Sequence, residues 1–151
     1  MQNSLVIVLQ KLFNRDLLKL RKEINAYQEE SNLWIVEKSI ANSAGNLCLH
    51  LLGNLNWFIG AQIGNTGYIR QRDREFGDKD VPRAELIKWI DQSLFDIDAS
   101  LAKLTEEQLQ ADFPLNVFGE KTSTEYMMVH LATHFSYHLG QINYHRRLLD
   151  A

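Results

Sequence analysis

The chain holds little of what usually narrows a function at first sight. It has one cysteine, Cys48, in 151 residues, which excludes an intrachain disulfide framework and is compatible with a reducing compartment. Long apolar runs are missing. The stretch Leu5-Val6-Ile7-Val8-Leu9 falls far short of the roughly 20 residues of a membrane span. It also lacks the basic flank and small-residue cleavage site of a signal peptide. There is no excess of basic charge: the net charge of −3 argues against a general binder of nucleic acid or anionic membrane. Neither an internal repeat, a low-complexity tract nor an interdomain linker is visible. These absences leave one soluble domain over residues 1–151, cytoplasmic by default, with neither nucleic acid nor membrane as partner.

What the sequence does contain is helix. Apolar residues are 45% and charged residues 23%, ordinary for a globular domain long enough to bury a core. Apolar positions recur at three- and four-residue steps in four stretches. The first runs from about Asn3 to Glu30, through Leu5, Leu9, Leu12, Phe13, Leu17, Leu20, Ile24 and Tyr27. The second runs from about Leu33 to Ile63, through Ile40, Ala44, Leu47, Leu51, Leu55 and Phe58. The third has Pro82 in its first turn and carries Leu86, Trp89, Ile90, Leu94, Ile97, Leu101 and Leu104. Thr122 and Glu125 match a capping box that opens the fourth, which continues to about Leu149. Gly64–Asp80 reads as a polar loop, Thr105–Gln110 as a short extra turn, and Phe113–Lys121, with Pro114 and Gly119, as a loop or brief hairpin. Four long amphipathic helices predict an all-α four-helix bundle.

Histidine is the informative residue type. His134 and His138 form an H-x-x-x-H pair, and four residues of helix bring two side chains round to one face, a turn apart. With His134 at zero, His130 falls at about −40°, His138 at about +40°, Gln141 at about −20° and His145 at about +20°. This stripe is flanked by Leu131, Phe135 and Ile142 on one side and Tyr137 and Leu148 on the other, so the histidines are expected on the apolar face. Neutral imidazoles placed there need partners and charged ones repel one another; a shared transition metal relieves both. His134 and His145 stand about 16 Å apart along the axis, too far for one ion. The open choices are His130 with His134, or His134 with His138. A bundle site also needs a ligand from a facing helix, and the second helix has one histidine, His50. Asn46 and Asn54 lie a turn either side of it, where they can support a ligand. Cys48 points about 200° away. The competing account is a set of core or interfacial histidines, hydrogen-bonded without metal.

The strings HFSYHLGQI, His134–Ile142, and LCLHLLGNL, Leu47–Leu55, resemble the two ligand segments of the DinB-like superfamily, which includes YfiT-like and maleylpyruvate isomerase relatives. The helix order and spacing of nearly the whole chain resemble it too. The resemblance implies a four-helix bundle, often homodimeric, with one divalent ion on His50, His134 and His138. His130 then becomes a neighbour. Zn²⁺, Ni²⁺ and Fe²⁺ head the metals such a site could hold. Three neutral ligands leave an open coordination position, the composition of a catalytic centre. The expected chemistry is activation of a thiol for transfer to a small electrophile, with hydrolysis second and a non-catalytic metal-binding or interaction module as the alternative. A DNA-repair role finds no support in the charge balance.

Other signals are weaker. Gln141 sits where it can hydrogen-bond a ligand histidine, and Gly140 is small enough to admit a neighbouring helix. Arg70 and Arg72 could grip an anionic group of a substrate, and Tyr137 could line its pocket, although a solvated loop whose arginines pair with its own Asp and Glu residues, and a core aromatic, are the blander readings. The second helix is apolar almost all round near Trp57, Phe58 and Ile59, which calls for cover by the loop or a partner chain. Cys48 reads as a small core residue, and Ser136 points away from His134, so no hydrolytic triad forms.

Overall fold

The computed structural model describes residues 3–151, and among them every regular element is helical. Six α-helices follow in order: α1 Ser4–Ala26, α2 Ala44–Leu55, α3 Arg72–Gly77, α4 Arg83–Leu101, α5 Glu106–Gln110 and α6 Thr124–Leu149. α1 packs against α4 and α6, and α2 packs against α6 and α4, so the four longest helices close a ring of contacts. Val6, Leu9, Phe13, Leu17, Leu20 and Ile24 of α1 meet Leu86, Ile90, Ile97 and Leu101 of α4 and Leu131, Phe135 and Ile142 of α6 in one core. Each fully buried side chain of this kind contributes about 1.5–3 kcal/mol relative to exposure.

The boundaries differ from the periodicity in instructive ways. α1 stops at Ala26 rather than Glu30, because Asp150 accepts the backbone N–H groups of Gln28 and Glu29 at 2.7 and 3.1 Å and pulls the chain out of the helix. The second helical stretch is three pieces. Glu30–Trp34 is a 3-10 turn, residues 35–43 are irregular with Lys38 at φ 55°, and α2 begins only after Ser43, whose Oγ caps Asn46 N. Ile40, expected on the apolar stripe, is exposed. After Leu55 the helix widens into a π turn, Asn56–Ala61, which packs on α4 and buries Phe58, Ile59 and Gly60. Phe58 and Ile59 of that apolar girdle are buried within this chain, and Trp57 is partly buried. The loop Gly64–Asp80 contains α3.

α4 starts one residue after Pro82, and Trp89 stays 41% exposed while Leu104 is buried beyond the helix end. α5 has a full capping box, Thr105 with Gln108. α6 is capped by Ser123, which accepts from Tyr126 N, rather than by Thr122. Thr122 O accepts instead from Phe113 N, beside an isolated bridge of Asp112 with Ser123, all that exists of the expected hairpin. No helix of the described residues is long and apolar enough to cross a membrane.

Candidate metal centre

α2 and α6 contact each other face to face, and that contact brings His50 to His134 and His138. One ring nitrogen from each of the three lies within 4.8 Å of the others. His50 Nε2 and His134 Nε2 are 3.2 Å apart. Two nitrogens sharing one tetrahedral Zn²⁺ at about 2.0–2.1 Å would stand about 3.4 Å apart, so the pair is set at a ligand–ligand spacing.

The tautomers agree. Glu75 Oε1 lies 3.0 Å from His50 Nδ1, and Gln141 Oε1 lies 2.7 Å from His138 Nδ1. Both oxygens accept, so both imidazoles donate from Nδ1 and keep the Nε2 lone pair for an ion. His134 Nδ1 is buried with no hydrogen-bond partner. A metal-free arrangement offers the cluster a single N–H···N bond, between His50 and His134, whereas an ion between the ring nitrogens engages all three imidazoles. The donor set therefore fits a divalent ion.

Electrostatics favour the ligand-ready state. Burial, then the neighbouring imidazoles of His138, His50 and His130, lower the pKa of His134 to about 4. Burial also lowers that of His138, against the hydrogen bond with Gln141. Both rings are neutral at pH 7 and free to coordinate. Burial alone would raise the pKa of Glu75, but hydrogen bonds from His50 and Arg70 and the Arg70 charge hold it below the ordinary carboxylate range.

The centre opens on a cavity of about 530 Å³ lined by His50, His134 and His138 with Asn54, Phe58, Arg70, Arg72, Phe76, Met127, His130 and Leu131. Asn54, one turn beyond His50, is buried and its Oδ1 has no partner. His130 reaches the cavity but is held by aromatic contact, its ring 4.8 Å from Phe118 and stacked on Tyr126 at 6.5 Å. Arg72 lies 5.3 Å over the Phe76 ring and has no ion-pair partner among the described residues.

Several sequence expectations change here. Arg70 is not free for a substrate, since its guanidinium is forked onto Glu75 at 2.9 and 3.0 Å. Asn46 does not support a ligand histidine directly; its amide donates to Glu75 O and Asp78 O and so ties α3 to α2. Tyr137 is 67% exposed, its ring beside His138 but outside the cavity lining. Gly140 admits no helix of this chain, because nothing lies within 4 Å of where its Cβ would be. The histidines sit at the edge of the α6 apolar face, half-buried, rather than at its centre, and His145 alone is fully enclosed. His145 donates Nε2–H to Ile35 O at 2.9 Å and accepts from Tyr27 Oη at 2.7 Å, so for it the hydrogen-bonded-core account holds. Cys48 is buried and its thiol is pushed up to about 12 by that burial, which makes it a core residue. Glu75 and Gly53 went unread: one is a carboxylate among Asp73, Asp78 and Asp80 in a charge-dense loop, the other a glycine inside a helix, and neither spacing signals the contact between them.

Fold and site together define the class: an all-helical protein with a three-histidine candidate metal centre at the mouth of a cavity. Residues 3–151 match the family described as protein of unknown function DUF1572, and the chain belongs to that family. No curated protein sequence matches it.

Proposed function

We propose that this protein is a DinB-like four-helix bundle that binds one divalent metal ion, Zn²⁺, Ni²⁺ or Fe²⁺, through His50, His134 and His138, and acts as a metal-dependent enzyme transferring a thiol to a small electrophile. The observation that carries the reading is a triad of imidazoles facing a cavity, which is the composition and setting of an open catalytic site. The ring of contacts among α1, α4, α2 and α6 supports the bundle. A divalent ion supplies Lewis acidity, lowering the pKa of a bound thiol or water.

The chain's own residues do the rest. Phe58, Phe76, Met127 and Leu131 give an apolar wall that excludes water and receives a carbon skeleton. Arg72 offers a guanidinium to an anionic group, and Asn54 Oδ1 offers an acceptor to a ligand N–H or O–H. The thiol is a cosubstrate, because buried Cys48 cannot supply it. Water in place of the thiol would make the same site hydrolytic. The protein is proposed to work in the cytoplasm, whose reducing conditions suit a thiol, and as a homodimer paired along α6.

Elemental analysis of untagged protein tests the reading. One metal per chain is expected in the wild type and none in His50→Ala or His134→Ala. A cobalt-substituted protein whose absorption changes on adding 2-mercaptoethanol has an exchangeable position. An unchanged spectrum would identify a closed site and a non-catalytic metal-binding module instead.

A further inference from the structure

Helix α3 exists inside a stretch of polar loop, and its one buried side chain is Glu75, 5% exposed. We infer that Glu75 is a positioning residue of the histidine centre and that α3 is the device that delivers it. The inference rests on the metal reading above.

Three independent features aim this carboxylate. Asn46, on the first turn of α2, donates from Nδ2 to Glu75 O at 3.0 Å and to Asp78 O at 2.8 Å, which fixes the α3 backbone. Its Oδ1 accepts from Ser43 Oγ and Lys79 Nζ, each at 2.7 Å, so the amide cannot turn over without losing four bonds. Gly53 supplies the seat, because a Cβ there would overlap the Glu75 carboxylate. Arg70 clamps both carboxylate oxygens from the other side. What remains is the Oε1 lone pair directed at His50 Nδ1.

The same protein shows what a merely structural histidine uses. His145 is satisfied by a backbone carbonyl and a tyrosine hydroxyl, neither of them charged. Burying a carboxylate costs far more than burying a carbonyl, and demands the Arg70 clamp and the Gly53 cradle. What a carboxylate adds is a fixed ring orientation, a fixed tautomer and a more basic Nε2, which are the properties that strengthen a metal ligand. Gln141 gives His138 a weaker, neutral counterpart.

The test is chelator competition for Zn²⁺ in wild type, Glu75→Ala, Glu75→Gln and Gly53→Ala, with imidazole tautomers read by long-range proton–nitrogen NMR on the metal-free proteins. Wild-type His50 should be the Nδ1–H tautomer. Glu75→Ala should lose Zn²⁺ affinity by roughly 10- to 100-fold and let His50 populate the Nε2–H form. Glu75→Gln, which keeps an acceptor oxygen, should recover the tautomer and part of the affinity. Gly53→Ala should weaken binding while the carboxylate is still present, since it only displaces it. Circular dichroism selects folded variants for comparison, and Gly53→Ala and Glu75→Gln carry the test if Glu75→Ala unfolds. Folded variants with wild-type affinity and an unchanged His50 tautomer would reduce Glu75 to a clasp between α3 and α2. A wild type that binds no Zn²⁺ would instead overturn the metal reading itself.

Discussion

At the scale of single residues, the five histidines divide by what their second nitrogen meets. His145 has both nitrogens satisfied inside the core. His50 and His138 each spend Nδ1 on a carboxylate or amide oxygen, which leaves Nε2 of each ring for a ligand. His134 has an orphaned Nδ1 and an Nε2 set against that of His50. His130 has only aromatic contacts and a view of the cavity. Helical spacing put His130, His134, His138 and His145 on one stripe and could not sort them, because the sorting depends on partners from α2, α3 and the segment after α1. The division predicts opposite phenotypes. His145→Ala should cost about 2–4 kcal/mol, since it opens a cavity and strands the Tyr27 hydroxyl and the Ile35 carbonyl. Urea unfolding would measure that loss, and metal content per folded chain should stay at the wild-type value.

At the scale of elements, periodicity located the long helices well and their ends poorly. α4 and α6 were legible because Leu86, Ile90, Ile97 and Leu101, and Leu131, Phe135 and Ile142, are buried where a 3.6-residue repeat places them. The ends were set by groups distant in sequence. Asp150 ends α1 by taking its amides, and His145 holds Ile35 in the irregular stretch that replaced the first part of the expected second helix. α3 was hidden because a helix of one and a half turns has no periodicity to show; it persists through a tertiary bond from Asn46 and a local clamp from Arg70, just before the helix. The start of α6 gives a direct comparison of the two candidate caps. Ser123→Ala should cost about 1 kcal/mol, as expected for loss of an N-cap that accepts from Tyr126 N. Thr122→Ala, which leaves both backbone bonds of that bridge in place, should cost less. Thermal melts of the two variants would rank them, and the reverse order would restore Thr122 as the cap.

At the scale of the whole molecule, one face of α6 is left without cover. Tyr126, Tyr137, Tyr144 and Leu148 are 60, 67, 63 and 73% exposed on a helix whose other side is core, and Gly140 leaves an open notch among them. A second copy laid along this stripe is the pairing proposed above, with the notch allowing close approach of the backbones. Light scattering should give twice the chain mass for the wild type, and Tyr137→Glu with Tyr144→Glu should give the monomer mass with unchanged helicity. A wild type that scatters as a monomer at tens of micromolar would remove the dimer. The sequence by itself determined that the chain is helical, where its core stripes run and which histidines lie within one turn of each other, because these follow from local periodicity and the fixed geometry of the helix. Only the folded chain settled which histidines meet and that a glycine in α2 makes room for a carboxylate from α3. The histidine contacts join segments 25 to more than 100 residues apart, such as His50 with Glu75 and Tyr27 with His145, and no local pattern encodes such a distance.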